Sequence, residues 1–380
     1  MMGAWRRTKP VRELVGRLGG TLCVAGALIS CTSSPSQTVF FVSEDCRGGL
    51  LDLAHFPETS SPTPALATGN NLALDGETLY LTYDFASTSS GVSPSGGIVS
   101  VPVSGGSFLV VGAAENTSGW GTGSFWVTGG QIYLQTDTQI VSLPAAAATP
   151  SALSNVSPDV SVAYVHDAEF GYSAGAAGGH ATVTKTPIAG GAPTILVDEQ
   201  LPNLALGGMA DAGDAILLQL RWHADPTSTA VWRIPKDGTA RSDVRPDVQW
   251  ADSSFPHWLA WDGQNIIGPV ANRTYGLVQA RVATAGSSAP EALKFQGAVA
   301  TRRGDEILSL QTLETRSPQG TTYRLLVASS KGAPEGSVVA CGPETDSLFK
   351  AAPGGIAADD NGIYVSYRFS DATVIARVAQ

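Results

Sequence analysis

The sequence predicts an all-β fold, a seven-bladed β-propeller of four-stranded antiparallel blades, on three observations. A proline-terminated strand segment recurs at intervals of 42, 43 and 48 residues, a tight turn followed by an alternating strand precedes each copy, and the 380 residues hold 43 Gly and 23 Pro with only 15% charged. Turn formers in that abundance, with no long apolar run, mark a loop-rich β chain. A four-stranded unit recurring at roughly 40 to 50 residues has the spacing of propeller blades.

The proline segments are Val99-Ser100-Val101-Pro102, Ile140-Val141-Ser142-Leu143-Pro144, Val183-Thr184-Lys185-Thr186-Pro187 and Val231-Trp232-Arg233-Ile234-Pro235. Three of them run into a Gly turn, at Gly105-Gly106, Gly190-Gly191 and Gly238. Arg281-Val282-Ala283 and Arg377-Val378-Ala379 repeat the segment with alanine in place of proline, and the copy near Arg324 is the least regular. Ahead of them lie Asp75-Gly76, Gly129-Gly130, Gly213-Asp214, Asp262-Gly263, Gly304-Asp305 and Asn361-Gly362, each leading into an alternating strand. Asp-Gly and Asn-Gly supply the positive φ that two-residue hairpins need. The last unit stops after its third strand, so the ring is expected to close by an N-terminal strand completing the last blade. The segment Pro64-Ala65-Leu66-Ala67, which resembles the fourth strands at Ala192–Leu196 and Ala289–Leu293, is the expected closing strand.

The first 30 residues have the layout of a signal peptide. Arg6, Arg7, Lys9, Arg12 and Arg17 precede an uncharged stretch, Leu18 to Ser30, which is too short to span a bilayer. It ends in Leu28-Ile29-Ser30-Cys31, which resembles the bacterial lipobox and implies lipidation at Cys31. The domain reading is therefore a lipoprotein signal peptide over 1–30, a lipidated cysteine and flexible tether over 31–60, and a propeller over 61–380. Cys23 leaves with the leader and Cys31 is taken by lipid, so Cys46 and Cys341 remain. In an oxidising compartment they are expected to form one disulfide near the ring seam, two unpaired buried thiols being the alternative.

Without residues 1–30 the chain carries 18 basic and 32 acidic residues, a net charge of −14. That balance leaves no nucleic-acid footprint and disfavours anionic lipid heads, so the membrane contact expected is the lipid on Cys31.

Together, the D-G-x-x-[IL]-Y and [RS]-[VIL]-P-x-x-G-G elements over residues 60–380 resemble the seven-bladed propeller lipoproteins of myxobacteria and related Gram-negative bacteria, and more distantly the TolB propeller. The resemblance implies an architecture and an envelope address, not a reaction. Thr32 after Cys31 is not the Asp that retains enteric lipoproteins at the inner membrane, so the family rule implies the outer membrane.

No catalytic residue is assigned. Gly171-Tyr172-Ser173-Ala174-Gly175 spells a nucleophile elbow but lacks the following helix, and reads as a loop of blade three. Gly119–Gly123 opens no βαβ unit, and Arg303-Gly304-Asp305 reads as a hairpin turn. Of His55, His166, His180, His223 and His257, none pairs with another at metal-ligand spacing, which leaves open ligands gathered from several blades around the central channel; no metal and no cofactor is assigned. Asp359-Asp360-Asn361-Gly362 offers oxygen donors for calcium without an EF-type loop.

The candidate binding residues are His166 and Asp167, with Trp222, His223, Trp250, His257 and Trp258 from an aromatic cluster holding five of the eight tryptophans. Tryptophan suits both binding hot spots and packing between blades, and packing is the expected role of Trp232 and Trp261. The function read from these features is a non-catalytic protein-binding or scaffold lipoprotein, monomeric as a domain, with a protein partner in the envelope. The alternatives are a carbohydrate or peptidoglycan binder and an enzyme with its site in the central channel.

Overall fold

A computed structural model describes residues 46, 48–57, 64–65, 71–85, 96–114, 125–135, 139–145, 151–155, 163–177, 179–222, 225–251, 258–272, 276–293, 299–331, 336–346, 352–369 and 372–379. They form seven antiparallel sheets and no helix. Blade 1 comprises Leu72–Asp75, Thr78–Phe85, Gly96–Pro102 and Leu109–Ala114, and blade 2 Phe125–Thr128, Gln131–Gln135, Gln139–Pro144 and Ser151–Asn155. Blade 3 comprises Ala163–His166, Phe170–Ala177, His180–Pro187 and Thr194–Gln200, and blade 4 Leu204–Asp211, Ala215–Trp222, Asp225–Pro235 and Ser242–Asp243. Blade 5 is Ala260–Trp261, Asn265–Asn272, Gly276–Ala283 and Glu291–Ala292; blade 6 is Val299–Arg303, Glu306–Ser317, Gly320–Ser329 and Ser337–Thr345. Blade 7 takes Ala352–Asp359, Gly362–Phe369 and Ala372–Val378 from the C-terminus and its outer strand, Leu50–Pro57, from the N-terminus.

The ring thus closes by an N-terminal strand, but not the expected one. Leu50–Pro57 pairs with Ala372–Val378, whereas Pro64–Ala65 pairs with Asp84–Phe85 inside blade 1. The propeller consequently begins before residue 61. The physical reason is a β-bulge at Leu53, where the register shifts between Asp52 and Ala54. A bulge breaks the two-residue alternation by which strands are read.

Each recurring segment has a local cause. The backbone oxygens of Pro102, Pro187 and Pro235 accept hydrogen bonds from Gly105, Gly190 and Gly238 (2.8, 3.1 and 3.2 Å), so each P-x-x-G is a closed turn from third to outer strand. Those glycines have φ of +86, +92 and +83°, a region costly for any residue with a Cβ. Two-residue hairpins join the first and second strands of blades 1, 2, 6 and 7.

Burial completes the ring. The described core separates into seven clusters, one in each gap between neighbouring blades. The cluster of Ala54, Leu72, Leu79, Ala357, Tyr364 and Ile375 joins blade 7 to blade 1. Six gaps are largely aliphatic; between blades 2 and 3 the packing is Trp126, Tyr133 and Tyr164. Cys46 and Cys341 form a disulfide with 5.6 Å between Cα atoms, linking the segment before the closing strand to the outer strand of blade 6.

Candidate functional site

Antiparallel blades give the ring two unlike ends. First-to-second and third-to-outer turns lie at one end, the turn face; second-to-third and blade-to-blade connections lie at the other, the connection face. On the turn face the same device recurs in the first turns of blades 3, 4, 5 and 7. Asp167 Oδ1 accepts the amides of Glu169 and Phe170 (2.9 and 2.8 Å), Asp211 Oδ1 that of Gly213 (2.8 Å), and Asp262 Oδ1 those of Gln264 and Asn265 (2.8 and 2.7 Å). Asp359 Oδ1 does the same for Asn361 and Gly362, both at 2.9 Å, and Oδ2 accepts from Asn361 Nδ2 at 3.2 Å, so both oxygens of the carboxylate considered for calcium are engaged by its own turn.

The densest polar cluster joins blades 3 and 4. Lys236, in the third-to-outer turn of blade 4, places Nζ 2.8 Å from Asp167 Oδ2 and 2.9 Å from Asp211 Oδ1. Its side chain is 12% exposed, and the carboxylates are 26% and 28% exposed. The Tyr172 hydroxyl donates to Asp167 Oδ2 at 2.8 Å, and Lys185 Nζ donates to the Lys236 carbonyl at 3.1 Å. Burial pushes the Asp167 carboxyl up, but the hydrogen bonds from Lys236, from the Glu169 and Phe170 amides and from Tyr172 outweigh it and hold the group well below the usual carboxylate range. Burial pushes Lys236 down, and its bonds to Asp167 and Asp211 more than compensate. A lysine held charged and an aspartate held ionised make a poor base and a poor acid. This arrangement clamps two blades.

His166 lies beside it. Its ring stacks on Trp126 (centroids 4.5 Å apart, 16° between planes), and Nδ1 donates to the Asp167 carbonyl at 3.2 Å. Burial pushes the imidazole below its ordinary value, against the smaller opposing effect of that carbonyl. Trp126 also stacks on Tyr133 and Tyr164 at 5.0 and 4.6 Å, so the ring is part of an aromatic seam.

The candidate residues do not converge. His166 and Asp167 lie on the turn face, whereas Trp222 ends the second strand of blade 4 on the connection face. Trp250, expected at a binding surface, is 1% exposed and packs against Gly268 in the gap between blades 4 and 5. It bridges to Val270, with the Ala251 amide donating to the Pro269 carbonyl and the Ala271 amide to the Gln249 carbonyl, so residues 249–251 lie along the second strand of blade 5. Trp222 and Trp258 are half-buried against the clusters of gaps 3/4 and 5/6. Cys31, His223 and His257 lie outside the described residues. The elbow-like Gly171–Gly175 is a strand rather than a loop: Ser173 pairs with Tyr164 and Thr184. Among the described residues no three His, Cys, Asp or Glu side chains gather as metal ligands.

Sequence reasoning missed one feature of the connection face. The second strand of blade 6, Glu306–Ser317, has 12 residues where those of blades 1, 3, 4, 5 and 7 have 8. Four extra residues at about 3.3 Å each raise this hairpin roughly 13 Å further. Arg316 near its tip is 73% exposed. The irregular spacing near Arg324 was the available signal.

No protein-family model and no curated sequence matches the chain. Solved structures do match in fold. An oligogalacturonate lyase from Vibrio parahaemolyticus is 10% identical with a TM-score of 0.57, covering 89% of this chain and 95% of that one. The WD40 domain of Toxoplasma gondii coronin is 11% identical with a TM-score of 0.51, covering 87% and 85%. The acylaminoacyl peptidase of Pyrococcus horikoshii is 12% identical with a TM-score of 0.55; 85% of this chain aligns with only 52% of that protein. At such identities the likeness extends to the fold alone: the chain is a seven-bladed β-propeller, a fold common among protein-interaction scaffolds.

Proposed function

We propose that this chain is an exported lipoprotein, anchored by lipid on Cys31, whose propeller binds a protein partner of the cell envelope through its connection face and without catalysis. The observation that carries the reading is the difference between the ring's ends. On the turn face Asp167, Asp211, Asp262 and Asp359 are engaged by their own turns, while the blade 6 hairpin and the longer connections belong to the other end. Binding residues concentrate on such connections, held by a rigid scaffold. The Cys46–Cys341 disulfide supports export, because structural disulfides persist in oxidising compartments. The burial of Trp250 weakens the glycan reading by withdrawing one indole face. The outer membrane is the location proposed.

Anchoring is tested by fractionating cells that express the full chain or its Cys31→Ser variant. Wild type should enter the detergent phase with the outer membrane, and the variant should be lost from it. Equal membrane retention of the two would refute anchoring at Cys31.

A further inference from the structure

The outer strand of a blade has one sheet neighbour, which makes it the element most easily lost from the ring by local opening. For the closing strand Leu50–Pro57 that neighbour is Ala372–Val378, and its N-terminal end is where the chain from residues 1–45 arrives. A pull from that side would break the ladder one hydrogen bond at a time.

Four features oppose such peeling. Cys46 is bonded to Cys341 of blade 6 before the strand begins. The Gly48 carbonyl accepts from the Cys341 amide at 3.1 Å, and the Gly49 carbonyl from Ala379 at 2.9 Å. Gly48 sits so close to the carbonyls of Ala379 and Val339 that a Cβ there would lie 2.6 and 3.2 Å from them, while Leu50 covers Gly342. At the bulge, the Leu53 carbonyl accepts from Gly106 of blade 1 at 3.3 Å. The closing strand is thereby fastened to blades 6, 7 and 1, and the covalent fastening lies upstream of the rest.

We propose that Cys46 and Gly48 to Leu50 act as a strap that passes load from the preceding chain into blade 6, so that the closing strand peels from its N-terminal end only after the Cys46–Cys341 bond is reduced. Reduction by a dithiol adds two electrons and two protons to the cystine, giving two thiols, while the dithiol closes to its own disulfide. The tether reading identifies only where the load originates. The strap itself is intramolecular, so its test uses no membrane and stands or falls separately from anchoring.

The test is hydrogen exchange of the full chain, followed by mass spectrometry, before and after reduction with free thiols counted. Peptides covering 50–57 and 372–378 should speed up on the order of tenfold or more, and by a larger factor than any peptide of blades 2 to 5. The combined Cys46→Ser and Cys341→Ser variant should show the same pattern without reductant; if it does not fold, reduction of the folded wild type decides. Unchanged exchange of 50–57 after confirmed reduction, or a rise no larger than that of blades 2 to 5, would overturn the proposal.

Discussion

Replacing Lys236 with methionine tests whether the clamp between blades 3 and 4 is structural. Methionine keeps much of the apolar stem and removes the ammonium, leaving Asp167 and Asp211 without the cation that sits 2.8 and 2.9 Å from them. A hydrogen bond to a charged group contributes about 1.5–3 kcal/mol when desolvated. Both carboxylates are about a quarter exposed, so the lower end applies and the pair is worth about 3 kcal/mol. For a domain of this size that is a fall of about 5 °C in Tm. The pH dependence has a defined sign. The Asp167 carboxyl is held below its unfolded value, so its stabilisation is present above the ordinary carboxylate pKa and is lost as pH falls through the folded value. The gap between wild type and Lys236→Met, measured by urea unfolding, should therefore be widest near pH 7 and narrow below about pH 4. A loss under about 0.5 kcal/mol at pH 7, or a gap that does not narrow in acid, would refute the clamp.

Three further outcomes are expected. A Cβ at Gly171 would overlap the Tyr164 hydroxyl, so Gly171→Ala should cost about 1–3 kcal/mol in chemical denaturation, with partial recovery when Tyr164→Phe is added. The His166 imidazole lies below its unfolded value, so acidification makes the unfolded chain bind the extra proton first. Stability should decline as pH falls from about 6.5 toward the folded value, and His166→Gln should flatten that part of the profile in unfolding titrations. Asp262→Ala leaves two turn amides without their carboxylate acceptor in a buried position and should cost about 2 kcal/mol, whereas Asp214→Ala, on an exposed carboxylate, should leave the thermal melt unchanged.

Much of the ring was legible because its repeats are local chemistry. Pro102, Pro187 and Pro235 end strands by accepting from a glycine three residues on, and both partners of each bond appear in one short stretch. The closing strand was misassigned because the bulge at Leu53 interrupts its alternation, while Pro64-Ala65 has the look of an outer strand. Trp250 reads as a loop tryptophan because it meets the second strand of blade 5 through one bridge, at Val270, and the first strand of that blade, Ala260–Trp261, has only two residues, so neither has the length of a strand in sequence. The clamp was beyond sequence reading for a different reason. Asp167, Asp211 and Lys236 occupy turns of two blades, and only the closure of the gap between those blades brings their charges together.

Which end of the ring meets a partner is the most direct question to put to the protein. A photo-crosslinking amino acid would be placed singly at Arg316 or Gln319 on the blade 6 hairpin and at Glu77, Asp214 or Asp360 on the turn face, in the lipidated protein in its native membranes. Binding through the connection face predicts one discrete protein adduct from Arg316 and Gln319 and none from the other three positions. Adducts from the turn-face positions alone, or from none of the five, would contradict it.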